Sequence, residues 1–322
     1  MPYALKSKLN INLWEIDKVM RKIKANAHVL MLLSILIASS SIPVGKLIAN
    51  DLPPAVMMFM RFLLSAVLFA PYVFIKNGFE FPPRKRMLSY TILSIPSVIF
   101  FWCMFEGLRY TSVINLGALI TLVPVITVVW AFIINREIPT TLRSLGLAIG
   151  TLGALLVVFK GDYIALIRLK FNYGDFVFIM GILFSGWDRP LLKKLYRGEP
   201  TEIITFWTLL LGAGWLLIAS ITSIINVDWH GTPSKAYGGI VYLAIFTTLI
   251  THFISQKCTV LIGATKVAAY SLLVPAFVIL ITFVTGMESF ELATLPGILL
   301  VIISMFLIQR ESRGALSTIT KG

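Results

Sequence analysis

Charge is what this chain has least of. Asp, Glu, Lys and Arg make up 13% of its 322 residues, against 57% hydrophobic residues and a mean hydropathy of +0.88. So few charges cannot cover a soluble domain, which places the chain in a membrane. Cysteine is scarce too: Cys103 and Cys258 both lie in apolar stretches without metal-type spacing, which excludes a disulfide framework and a zinc site. The three histidines (His28, His230, His252) show no His-x-x-x-His spacing, and there is no glycine-rich phosphate loop ending in lysine. Without a catalytic cluster, a metal site or a cofactor motif, no enzyme is expected. Acidic residues are rarer than basic ones, 15 against 28, giving a formal charge of +13. Basic residues that flank apolar spans orient a membrane protein, so nucleic acid is not an expected partner.

Apolar runs are abundant. Read between polar, proline and glycine punctuation, they predict ten helices near 28–49, 54–75, 88–107, 112–134, 142–160, 175–194, 202–225, 236–258, 264–285 and 292–310. Each is close to the roughly 20 residues that cross a hydrocarbon core. The lead before the first run is long and basic, and no small-x-small cleavage pattern follows it, so that run reads as a retained span. Within this lead Leu9, Leu13, Ile16, Met20 and Ile23 recur at helical spacing, with Lys18, Arg21, Lys22 and Lys24 on other faces. The pattern fits a helix lying on the cytoplasmic membrane surface or a partly ordered basic tail. Twenty lysines and arginines fall on the side of both termini. Five (Arg109, Lys160, Arg168, Lys170, Lys235) fall on the other, and three (Lys46, Arg61, Arg189) lie within spans. Both termini are therefore expected in the cytoplasm, with the chain crossing the inner (plasma) membrane several times.

The two halves resemble each other. "NLGALITLVPVITVVWAFIINRE" (115–137) aligns with "KVAAYSLLVPAFVILITFVTGME" (266–288), sharing Ala118/Ala269, Leu122/Leu273, Val123/Val274, Pro124/Pro275, Phe132/Phe283 and Glu137/Glu288, with Gly146/Gly297 in the same register. Greasiness alone does not produce a matched proline, glutamate and glycine. Five spans per half is an odd number, so the second half enters the membrane from the opposite side. The expected fold is an all-α integral membrane protein of ten transmembrane helices, built as two inverted-topology five-helix repeats. The expected divisions are a basic cytoplasmic segment 1–27, a first repeat 28–160, an extracytoplasmic linker 161–174, a second repeat 175–310 and a cytoplasmic tail 311–322.

These motifs resemble the EamA-type branch of the drug/metabolite transporter superfamily, whose repeat carries a Leu-x-Pro-like element, an acidic residue at the helix end and a following glycine-rich helix. Here the elements are "LVPVITVVWAFIINRE" with Gly146, Gly150 and Gly153, and "LVPAFVILITFVTGME" with Gly297. The second half has only Gly297 and Ser304 where the first has its glycine ladder, which leaves close packing there less assured. The resemblance implies a central cavity and alternating access, exporting or exchanging a small polar metabolite such as an amino acid. Carriage of organic phosphates, nucleotide sugars or drugs is an alternative within the superfamily, and a passive channel or lipid-translocating protein an alternative class. The implied partners are a small-molecule solute and membrane lipid; proton or counter-solute coupling and a monomer or homodimer all remain open.

Ionisable residues at mid-depth are costly in lipid and mark a cavity or a partner. Lys46, Glu106, Lys257 and Lys266 lie near helix ends, where long side chains snorkel. Arg61 and Asp188 lie deeper, approaching the midplane from opposite sides, and are candidates to meet the carboxylate and amine of a zwitterion or to anchor helices. Arg189 reads as able to snorkel. Thr248, Thr251, His252, Ser255, Gln256 and Thr259 form a polar stripe along the eighth span, richer than helix packing needs. The expected cavity set is Arg61, Trp102, Asp188, His252, Gln256, Tyr270 and Lys266. Pro124 and Pro275 are expected hinges, Gly146 and Gly297 close-packing positions, and Glu137 and Glu288 capping or gate contacts. Pro43, Pro96 and Pro190 are also expected to bend their spans.

Overall fold

The computed structural model describes residues 13–162, 164, 171–286 and 291–310. Among these, nine helical runs are long and apolar enough to cross a membrane: α1 Ile23–Ile48, α2 Pro54–Asn77, α3 Arg84–Tyr110, α4 Asn115–Asn135, α5 Thr141–Val158, α7 Thr201–Asn226, α8 Ser234–Ile262, α9 Ala264–Val284 and α10 Leu292–Gln309. The remaining long helix, α6 Tyr173–Leu195, matches the sixth expected span. Asp175, Asp188, Arg189, Lys193 and Lys194 lie along it, which sets it apart from the more apolar nine. It packs on α3 and α4, filling the tenth position of the bundle.

The N-terminal helix runs without interruption from Leu13 to Ser39, so residues 13–27 are continuous with the helix of the first span. Residues 1–12, 165–170 and 311–322, and Glu288 with them, lie outside the described residues.

Three spans are broken, each just before a proline that cannot donate to the preceding turn. In α1 the helix halts at Ser40 and resumes as Ser41–Ile48, which contains Pro43. In α4 a tight turn at Thr121–Leu122 returns their N–H groups to Ala118 and Leu119 (3.2 and 3.0 Å), and Pro124 opens the second half-helix. In α9 the 3₁₀ turn Tyr270–Leu273 occupies the same place before Pro275. The two prolines thus start half-helices at matched positions, where a missing N–H costs nothing. Pro96 and Pro190 lie inside continuous helices. A π-turn, Leu243–Ile250, interrupts α8 without breaking it.

The helices pair across the halves in a two-fold pattern. α2 packs on α7 and α5 on α10, while α6 packs on α3 as α1 packs on α8. Second meets second, fifth meets fifth, and each first helix meets the other half's third, as a pseudo-two-fold relation requires. Small residues set the closest approaches. A Cβ at Gly153 would sit 2.8 Å from the Gly297 carbonyl oxygen, and one at Gly297 only 2.6 Å from that of Gly153. Ser304 adds a hydrogen bond to the Gly146 carbonyl (2.6 Å). The single glycine and serine of α10 are therefore the complement of the α5 glycine ladder, and the contact between them is tight. Glycines also set the α3–α6 contact, where Gly107 faces Gly174 and Gly181 lies against Cys103.

Candidate functional site

The half-helix breaks and the π-turn all lie at the level of a central cavity of about 140 Å³, enclosed by α1, α3, α4, α6, α8 and α9. Its wall is apolar in the main (Met31, Ile35, Phe100, Phe101, Met104, Val123) and carries a serine from each of several helices: Ser34 and Ser41, Ser97, Ser185, Ser255 and Ser271. Asp188, Arg189, Thr247, Thr251 and His252 supply the rest of its polarity. Pockets that take drug-sized ligands are roughly 300–1,000 Å³. In this conformation the cavity holds only a few small-molecule heavy atoms or about four or five waters.

Two of the seven expected cavity residues, Asp188 and His252, line it directly. Asp188 accepts a hydrogen bond from the Ser97 hydroxyl (3.3 Å) across the α3–α6 contact. His252 Nε2 lies 3.0 Å from Gln256 Nε2, so the imidazole nitrogen accepts and the amide donates; Gln256 Oε1 accepts from Thr205 (2.7 Å). Gln256 thus lies one layer behind the wall, tying His252 to α7.

Arg61 also lies behind the wall, fully buried. The π-turn aims two adjacent threonines at it: Nε donates to the Thr248 hydroxyl, and Nη2 to Thr247 Oγ1 (2.8 Å) and the Thr247 carbonyl (3.2 Å). Phe101 and Phe105 cover the guanidinium face at 4.5 and 5.5 Å. Thr247 and Phe101 belong to the cavity wall, so Arg61 is separated from the cavity by one side chain's thickness.

The structure places the other three elsewhere. Trp102 is 37% exposed on the outer surface of α3, because its position rotates away from the α6 contact that Cys103 and Gly181 fill. Tyr270 turns to α1, where its hydroxyl meets His28 Nδ1 (2.7 Å). Lys266 reaches the end of α10, donating to the Gln309 carbonyl (3.4 Å). The polar stripe of α8 divides in the same way: Thr251, His252 and Ser255 face the cavity, Thr248 faces Arg61, Gln256 faces α7, and Thr259 bonds its own helix at Ser255. Arg189, expected to snorkel, faces the cavity instead; Pro190 holds α6 close to α4, where Asn135 donates to the Pro190 carbonyl (3.1 Å).

Both ends of the bundle are tied by polar contacts. On the side expected outside, fully buried Asp175 accepts from Thr111 (2.5 Å), Asn115 (3.1 Å) and the Asn172 backbone (2.8 Å), and Lys46 caps the Leu108 and Thr111 carbonyls (2.6 and 3.1 Å). On the opposite side Lys193 pairs with Glu137 (2.8 Å), Lys76 with Glu202 (2.5 Å) and Arg86 with Glu199 (3.3 Å). Glu137 is therefore an inter-helix contact at the end of α4.

Comparisons with known proteins agree with this architecture. The model of the EamA-like transporter family matches twice, over residues 25–159 and 172–310. The uncharacterized transporter YyaM of Bacillus subtilis (strain 168) is 26% identical over 267 residues, covering 81% of this chain and 86% of the relative. An uncharacterized transporter of Archaeoglobus fulgidus is 25% identical over 285 residues, covering 88% and 97%. A solved crystal structure shares the fold with a TM-score of 0.70 at 14% identity, over 90% of this chain and 99% of that one.

Proposed function

The chain belongs to the EamA-like transporter family, and from that premise we propose that it is a secondary transporter that exports or exchanges a small polar metabolite, of amino-acid size, by alternating access. The observation that carries this reading is a central cavity between the expected spans whose wall pairs Asp188 and Arg189 with serines and threonines from several helices. Charges at such depth are retained where they face a solute path or each other. The volume of about 140 Å³ favours a small solute over a drug-sized one. Ties at both ends of the bundle support a carrier that opens one side at a time rather than a continuously open channel. The lysine and arginine distribution supports a plasma-membrane protein with both termini in the cytoplasm. Purified protein in vesicles, given a panel of metabolites under outward and inward gradients, should show flux that saturates and is stimulated by solute on the opposite side. Linear, non-saturating flux would indicate a channel, and no flux from folded protein would end the reading.

A further inference from the structure

We propose that the solute taken by the central cavity is a small organic anion, held by Arg189 and Ser41 in the wall and drawn by Arg61 behind it. This deepens the transporter reading and rests on it. Two independent features carry the inference, one of charge and one of hydrogen bonding.

Around the cavity there are two guanidinium groups, Arg61 and Arg189, and one carboxylate, Asp188. Among the described residues no carboxylate lies within 4.0 Å of either guanidinium. The other acids on the packed helices are engaged elsewhere. Glu106 pairs with Arg109 (3.1 Å) and Glu202 with Lys76 (2.5 Å). Asp175 lies thirteen residues from Asp188 along α6, roughly 20 Å away at about 1.5 Å per residue, and shares Thr111 with Lys46. His252 adds positive charge when protonated and none otherwise. The site is therefore one positive charge in excess, in surroundings where an uncompensated ion is costly.

The hydrogen-bonding pattern points the same way. Arg189 Nε and Ser41 Oγ, both in residues that line the cavity, are buried without a partner, and so is Arg61 Nη1 just behind Thr247 and Phe101. All three can donate. The two guanidinium nitrogens can only donate, Ser41 Oγ can donate or accept, and Asp188 Oδ1 already receives Ser97. A ligand that satisfies the site brings acceptor oxygens and a negative charge, which a carboxylate does.

The test is thermal unfolding of the purified full-length protein with glutamate, glutamine and lysine, which share one backbone and differ in net charge, and with lactate against lactamide, all at equal ionic strength. Stabilisation should follow glutamate over glutamine over lysine, with half-saturation at least about tenfold lower for glutamate than glutamine, and lactate should act where lactamide does not. Arg189→Gln should abolish the preference and Arg189→Lys should retain part of it. Asp188→Asn should preserve or strengthen anion binding, because it enlarges the positive excess; a merely structural cluster would lose binding in both Gln and Asn variants. Equal or greater stabilisation by glutamine, lysine or lactamide, or none by either anion, overturns the proposal. Saturable flux of a neutral or cationic solute in vesicles would overturn it while leaving the transporter reading intact; absence of all flux would remove that reading instead.

Discussion

Replacing Gly153 with alanine tests the joint between the two halves directly. The new Cβ would lie 2.7 Å from Leu300 Cβ, 2.8 Å from the Gly297 carbonyl oxygen and 3.0 Å from the Val301 nitrogen. None of these atoms is the end of a flexible side chain, so the strain is relieved only by moving α5 and α10 apart. Ordinary contact begins at 3.4 Å, which requires a separation of roughly 0.7 Å from the closest atom; a gap of that order forfeits about a quarter or more of each dispersion contact along the seam. Overpacking of this kind costs about 1–3 kcal/mol. Alanine also favours a helix over glycine by about 1 kcal/mol, so the comparison must cancel that gain. Gly214, in the interior of α7, supplies the control, because a Cβ there would find nothing within 4 Å. The expected result is that Gly153→Ala lies about 1–3 kcal/mol below Gly214→Ala, read as a lower midpoint of thermal unfolding in the same detergent. Equal midpoints would refute the close contact of α5 with α10. Gly297→Ala should act at the same seam, so the double variant should cost less than the two single changes added together.

Three further outcomes follow from named contacts. Asp188→Asn and Arg61→Gln should each lower transport in vesicles while expression and membrane insertion are retained, Asp188→Asn through slower release of a solute that still binds; normal transport by both would show that they serve packing alone. Asp175→Ala removes the shared acceptor of Thr111, Asn115 and the Asn172 N–H and should lower stability by about 2–4 kcal/mol, seen as early unfolding; an unchanged midpoint would contradict the buried network. Glu137→Gln, which breaks the partly exposed pair with Lys193, should cost less than about 1 kcal/mol, and a larger loss would mean that the contact holds the end of the bundle closed.

Much of the fold is legible in the sequence because its signals are one-dimensional. Runs of about twenty apolar residues and matched prolines report spans and repeats without any knowledge of contacts. The site is only partly legible, because facing is a rotational property and the helices are not regular. The π-turn at Leu243–Ile250 shifts the register of α8, so a stripe drawn at uniform spacing omits Thr247 and puts Gln256 in the cavity instead of behind it. Trp102 and Tyr270 are aromatics at plausible depth, and nothing in spacing reveals that one meets the outer surface and the other His28. The serines of the wall are hard to find because each is one small residue on a different helix; their only signal is a hydroxyl at mid-span on helices otherwise apolar. Gly297 and Ser304 look like a weakened repeat when read alone and become a matched partner once α10 is set against α5.

The same reasoning changes the weight given to the cluster around residue 188. Arg189 is close enough in sequence to Lys193 and Lys194 to suggest that it snorkels with them, but a helix separates residues by about 100° per step, so neighbours in sequence face different media. Lys193 reaches Glu137 at the end of α4, while Arg189 turns inward. A fold selected for stability alone gains little from this arrangement: a buried ion lacking a full set of partners is commonly matched or bettered by an apolar side chain of similar volume. Arg61 has two threonines and two phenylalanine faces but no carboxylate, and Arg189 has an unpartnered Nε. Packing explains where Arg61 is held; it does not explain why the held group is charged. A charged visitor to the cavity explains both, which is why the charge dependence of binding, and not the loss of stability on mutation, is the measurement that separates the two roles.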